Sequence, residues 1–247
     1  MKKSFFILLA NLIFLSAYAQ NSNVNKANSL MDQGKLAEAK ELIDLAITHE
    51  KTMNKGRTWF VRGNVYSDIA ASADPEVSAI DPDAVKKAMD SFAKVKEIES
   101  EGSNYYTLSD VQINSLFTSV FNLGIGSYQE DDYGTAYLHF KDLITINPKD
   151  TVGYMYAGFC AEAEDEYDKA LDLYFGAMEL EDCPPTVYSQ TLVILERQKE
   201  DIEKALEVSE AAMKRFPEDD TFAKTHIAFL IKLDKTEEAQ NALKAAL

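Results

Sequence analysis

One pattern is written twice in adjacent stretches, and few folds accommodate it. The first copy reads Val120, Leu123, Gly124, Ala136, Phe140, Leu143 and Pro148. The second reads Tyr154, Ala157, Gly158, Ala170, Tyr174, Ala177 and then Pro184-Pro185. Gly124 and Gly158, Ala136 and Ala170, and Phe140 and Tyr174 are each 34 positions apart. Within the first copy, 117–129 and 134–146 carry apolar residues at helical spacing, separated by the acidic turn Glu130-Asp131-Asp132. A helix this short cannot bury its apolar stripe alone, so it pairs with its neighbour as an antiparallel hairpin. Gly124 and Ala136 are small where two backbones should come closest. Phe140 and Leu143 fill the seam to the next hairpin, and Pro148 stops the second helix. Hairpins of this kind stack into a continuous core.

The period and its small residues resemble the tetratricopeptide repeat, whose pattern W-x2-L-G-x2-Y…A-x3-F…P covers roughly 34 residues. The resemblance implies an all-α fold, an α-solenoid of about six stacked helix-turn-helix repeats wound as a right-handed superhelix. The repeats are placed at 20–54, 56–100, 109–149, 150–183, 184–217 and 219–247. In the first, Ala39, Ile43 and Ala46 keep the spacing of Ala136, Phe140 and Leu143, around a turn at Gln33-Gly34-Lys35. The second opens with Trp59, Gly63 and Tyr66 in the family's frame but has Arg62 where leucine is expected. Its second-helix residues Ala88, Phe92 and Val95 arrive 13 positions late, so 71–83 is read as an insertion. Asp74-Pro75 and Asp81-Pro82 each look like an N-cap followed by a first-turn proline. They predict one short extra helix, then a second helix from about Pro82 to Glu99. A polar connection at 99–107 follows, and Ser109 is read as the cap of a long helix running on through 117–129.

The first residues have another purpose. Met1-Lys2-Lys3 is basic, residues 5–15 are almost unbrokenly apolar, and Ala17-Tyr18-Ala19 is a small-x-small exit. This reads as a secretory signal peptide cut near Ala19/Gln20, since the run is short for a membrane span. The expectation is an exported protein, periplasmic or secreted, with no stable membrane insertion after cleavage. Loss of Lys2 and Lys3, with no acid, takes the formal charge from −16 to −18. Such an acidic chain repels phosphate backbones, which disfavours nucleic acid as a partner. Cys160 and Cys183 would meet an oxidising compartment. Their hairpin positions separate them by about eight residues at ~1.5 Å rise, more than a disulfide spans, so two free thiols are expected.

Little in the chain points to catalysis. His49, His139 and His226 stand apart from one another and from both cysteines in sequence, away from ligand spacing. The acids Glu162, Glu164, Asp165, Glu166 and Asp168 lack the alternating ligands and glycine of a calcium loop, and read as a solvated turn. No G-x-S-x-G, phosphate loop or H-E-x-x-H occurs. No enzymatic role, cofactor or metal is therefore expected.

What remains is surface. The resemblance places binding residues at positions 2, 5, 9 and 12 of each unit, on the first helices that line the concave side. Carried onto this chain, these positions make a peptide-binding groove from Phe121, Ile125, Tyr128, Val152, Met155 and Phe159, with Arg57 and Asn64 further along. The leading expectation is a non-enzymatic envelope scaffold or adaptor that holds a protein or peptide segment there. The alternative is a glycan or small-ligand binder beside an outer-membrane uptake system, with Trp59, Tyr105 and Tyr106 as stacking surfaces. Leu243 and Leu247 would leave an apolar end for docking a partner or a second copy.

Overall fold

The computed structural model describes residues 22–245. The export segment read at 1–19 lies outside the described residues, as do Ala246 and Leu247. Thirteen α-helices and no strand are found among the described residues. The fold is an all-α helical-repeat solenoid. The described residues form two compact units, one running to Leu123 and including Thr145–Asn147, the other holding Gly124–Ile144 and Pro148 onwards.

The first unit holds α1 (22–32), α2 (Leu36–Ala46), α3 (Gly56–Ala70), α4 (Pro75–Ser78), α5 (Ala84–Ile98) and the longer part of α6 (Asn104–Gln129). Its core is built from Ala39, Ile43 and Ala46 on α2, Val65 and Ile69 on α3, and Ala88, Phe92 and Val95 on α5, all fully buried. The insertion gives the expected short helix, with the Asp74 carboxylate accepting the Glu76 N–H at 2.9 Å. The next helix, however, starts at Ala84 rather than Pro82. Asp81 accepts the Asp83 N–H at 3.1 Å, and its two oxygens take Lys87 Nζ at 2.8 and 2.6 Å. That grip holds the chain in an Asx turn instead of releasing it into helix at the proline. The long helix also begins earlier than expected, at Asn104. Ser109 lies inside it, fully buried, its hydroxyl donating to Tyr105 O at 2.7 Å. A serine satisfied by the carbonyl one turn back can sit within a helix, so its type does not mark the boundary.

Arg62 builds a polar core where an apolar one was expected. Its Nε meets Asp44 Oδ1 at 2.9 Å and its Nη1 donates to Ser91 Oγ at 2.7 Å. The guanidinium lies 4.6 Å from the centroid of the Tyr66 ring, and the Tyr66 hydroxyl donates to the other Asp44 oxygen at 2.7 Å. Lys40 Nζ stands 3.6 Å from Asp44 and 3.5 Å from Asp81. Helices α2, α3 and α5 and the insertion are thus pinned by one connected set of charges, each with a partner, as half-buried ions require.

The second unit holds the last turn of α6 with α7 (Tyr133–Ile146), α8 (Thr151–Ala163), α9 (Tyr167–Met178), α10 (Pro185–Arg197), α11 (Ile202–Arg215), α12 (Asp220–Lys232) and α13 (Thr236–Ala245). From α8 onward, each helix packs on the next in the chain. Fully buried Ala136 and Phe140, Ala170 and Tyr174, and Ala205 and Ser209 occupy equivalent places on α7, α9 and α11. Burying one of these aromatic rings is worth about 1.5–3 kcal/mol. Gly124 and Gly158 each lie against the aromatic ring of their own hairpin, so Phe140, expected in the seam to the next hairpin, fills its own as well while packing on Tyr156 of α8 at 5.0 Å. A Cβ at Gly124 would stand 2.7 Å from Phe140 Cε1, and one at Gly158 would overlap the Tyr174 ring. In the first unit Gly63 faces Phe92 in the same way, with the 13-residue insertion between them in sequence.

The turns repeat as well. Gly34, Asp131, Asp165, Glu200 and Asp234 all have positive φ, between 53° and 73°. In four of these turns the following N–H bonds back across the helix end: Lys35 to Leu30 O, Asp132 to Ser127 O, Glu166 to Ala161 O and Lys235 to Leu230 O. This is the Schellman closure, which satisfies carbonyls left over at the helix terminus. Both cysteines are free and buried, and burial pushes the Cys160 thiol up to about 12 and the Cys183 thiol up to about 11.

Candidate functional site

Helices α6, α8 and α10 are the first helices of successive hairpins, and in the second unit they share one cavity of about 470 Å³. It is lined by Tyr128 from α6, Phe159, Glu162 and Ala163 from α8, and Gln190 from α10. Tyr128 and Phe159 are two of the residues assigned to the groove from sequence. Ile125, Val152 and Met155 are half-buried but do not line this cavity. Met155 and Phe159 also pack against the buried core of the unit, so each divides its surface between core and groove. Phe121, Arg57 and Asn64 belong to the first unit. There Arg57 Nη2 donates to Asn25 Oδ1 at 2.7 Å, while Asn64 Oδ1 is buried without a partner among the described residues.

The cavity walls are held from behind. The Phe159 ring packs edge-on against Tyr156 and Tyr174, with centroids 5.7 and 6.1 Å away. Tyr128 packs edge-on against Tyr133 at 5.2 Å. Glu162 falls both in the acidic run and at position 12 of the fourth unit in the sequence, and the structure puts it within α8, half-buried. Its Oε2 accepts the Tyr174 hydroxyl at 2.9 Å. Burial, followed by the Glu162 charge, keeps the Tyr174 phenol protonated far above its ordinary range. Burial first, then neighbouring groups including Glu162, also raises Tyr128. The frame contained a signal for Glu162, since it lies 34 residues after Tyr128. Gln190 has no such counterpart and was not legible.

Ser209 Oγ lies 2.9 Å from His226 Nδ1, a pairing the sequence did not reveal. The serine is fully buried and its hydroxyl also donates to Leu206 O at 2.7 Å, so it joins α11 to α12 rather than facing a substrate. Among the described residues no group of three His, Cys, Asp or Glu stands close enough to hold a metal ion. None of the described helices is long and apolar enough to cross a membrane. Trp59 donates to Met53 O at 2.6 Å, Tyr105 packs on Phe60 at 5.4 Å, and Lys96 lies over Tyr106.

A 34-residue frame, antiparallel hairpins and a glycine pressed against an aromatic at three crossings, Gly63 on Phe92, Gly124 on Phe140 and Gly158 on Tyr174, define a helical-repeat architecture and agree with the resemblance to the tetratricopeptide repeat. No family model matches the chain, and no curated protein matches it. Several solved structures are similar in fold. PilF of Pseudomonas aeruginosa is 13% identical, with 91% of this chain and 89% of that one covered and a TM-score of 0.41. MamA from residue 41 to its end, from Desulfovibrio magneticus RS-1, is 15% identical over 81% of this chain and 97% of that one, at 0.38. YrrB, described as a TPR protein with an unusual peptide-binding site, is 22% identical over 81% and 87%, also at 0.38.

Proposed function

We propose that the chain is a non-enzymatic scaffold that holds a protein or peptide segment against the first-helix face of its hairpins. The observation that carries this reading is the cavity to which α6, α8 and α10 each contribute a side chain. A surface built from several successive helices suits an extended ligand, because one segment can touch each in turn. Tyr128 and Phe159 are the anchors, and Ile125, Val152 and Met155 extend the apolar face. Phe121, Arg57 and Asn64 are the groove positions proposed for the first unit. Export through the segment at 1–19 would place this activity in the cell envelope or outside it. The end of the chain is a second proposed contact, where Leu243 is half exposed at 52% and Leu247 would follow it.

Truncating a central anchor typically costs about 2 kcal/mol or more of binding. Tyr128→Ala should therefore weaken capture of the partner crosslinked to the mature chain in intact cells with little change in thermal stability, whereas Met155→Ala, which also loses core packing, should weaken capture and lower the melting temperature. A strong fall in melting temperature with normal capture by the folded fraction would assign both residues to the core instead.

A further inference from the structure

The cavity between Tyr128, Phe159 and Glu162 has a chemistry more particular than a general groove. Among its lining residues Glu162 is the one charged group, and no lysine, arginine or histidine lines it. Glu162 Oε2 is engaged by the Tyr174 hydroxyl, while Oε1 has no protein donor among the described residues. Two aromatic rings flank the carboxylate, and each is fixed by a further ring behind it. Gln190 adds an amide on the α10 side. An unspent carboxylate oxygen beside aromatic walls is complementary to a cation, which gains a charge-assisted hydrogen bond and attraction to the ring faces together. An anionic group would face the Glu162 charge with nothing to offset it. The chain's formal charge of −16 favours approach of a basic segment in the same sense.

We infer that this cavity is a specificity pocket for one basic side chain, an arginine or lysine, presented by the peptide or protein segment that the first-helix face binds. The inference rests on the scaffold reading and adds to it the chemistry of one anchor position. Tyr174 is the positioning residue, since its hydroxyl holds the Glu162 carboxylate from behind. Tyr128 and Phe159 clasp the stem of the basic side chain, and Glu162 meets its charged end.

The test is selection of a displayed random-peptide library on the mature chain, followed by calorimetric titration of the synthesised winners. The titrations use wild type, Glu162→Gln and Tyr128→Ala, with circular dichroism confirming that each variant is folded. Glutamine keeps one oxygen acceptor for Tyr174, removes the charge and puts an amide donor in place of the second oxygen. Selected peptides should share one arginine or lysine whose replacement by norleucine weakens binding at least about tenfold in wild type. The same replacement should have little effect in Glu162→Gln, and wild-type affinity should fall as salt is raised. Peptides that depend on Tyr128 but lack a shared basic residue would overturn the pocket assignment and leave the scaffold standing. So would a basic residue whose loss is felt equally in Glu162→Gln. Selection that yields no peptide weakened by Tyr128→Ala would overturn both.

Discussion

At the scale of single residues, the pairing of a glycine on one helix with an aromatic ring on the next sets the distance between the helices. Gly158 and Tyr174 are the pair with most consequence, because the same Tyr174 ring supports Phe159 and its hydroxyl holds Glu162. Gly158→Ala is expected to displace a fully buried ring and destabilise the protein by about 1–3 kcal/mol, measurable by urea unfolding. The recurrence of a glycine and a large aromatic in one frame was legible in the sequence, whereas their contact within one hairpin was not, since Phe140 reads there as filling the seam to the next. The turns were legible only in part. Gly34 announces a positive φ, whereas Asp131, Asp165, Glu200 and Asp234 adopt one without announcing it. At two of these the carboxylate accepts from the tyrosine two residues on, Tyr133 to Asp131 at 2.8 Å and Tyr167 to Asp165 at 2.5 Å. Residue type alone does not disclose that compensation.

At the scale of elements, the insertion is fastened rather than loose. Asp81 is 6% exposed and reaches Lys87 on α5 and Lys40 on α2. Its burial would raise the carboxyl, but hydrogen bonds from Lys87 and the Asp83 N–H and the charges of Lys87 and Lys40 outweigh that, holding it below the usual carboxylate value. A carboxyl depressed in the folded state contributes stability that is fully present above its unfolded value, near ~4, and lost as pH falls through the folded value. Asp81→Asn should therefore lower stability at neutral pH, with the gap to wild type closing as urea unfolding is repeated toward pH ~3. From sequence the aspartate looked like a helix cap and Arg62 like a misfit. Each is explained by a partner distant in the chain, Lys87 and Lys40 for one and Asp44 and Ser91 for the other. Spacing within one helix cannot show such partners. The misplaced start of α6 has the opposite cause, since Ser109 satisfies itself locally and needs no boundary.

At the scale of the molecule, helices of the second unit pack on those beside them in sequence, α8 on α9 through to α12 on α13. The cavity follows from this order, because successive first helices come to share one face. Tyr128, Phe159 and Glu162 could be read from the frame, while Gln190 joins them only through packing. The same order bears on how the protein comes apart. With short connections between these helices, folding should be fast, and loss of structure should begin where the fewest side chains are buried. Amide hydrogen exchange should show α13, where Ala239 is the one buried side chain among the described residues, opening at lower free energy than α8 and α9. Uniform protection across the second unit would contradict this. An array that loosens first at its least-buried helix can lose that helix to a protease, or lend it to another molecule, while the hairpins that grip a ligand stay folded.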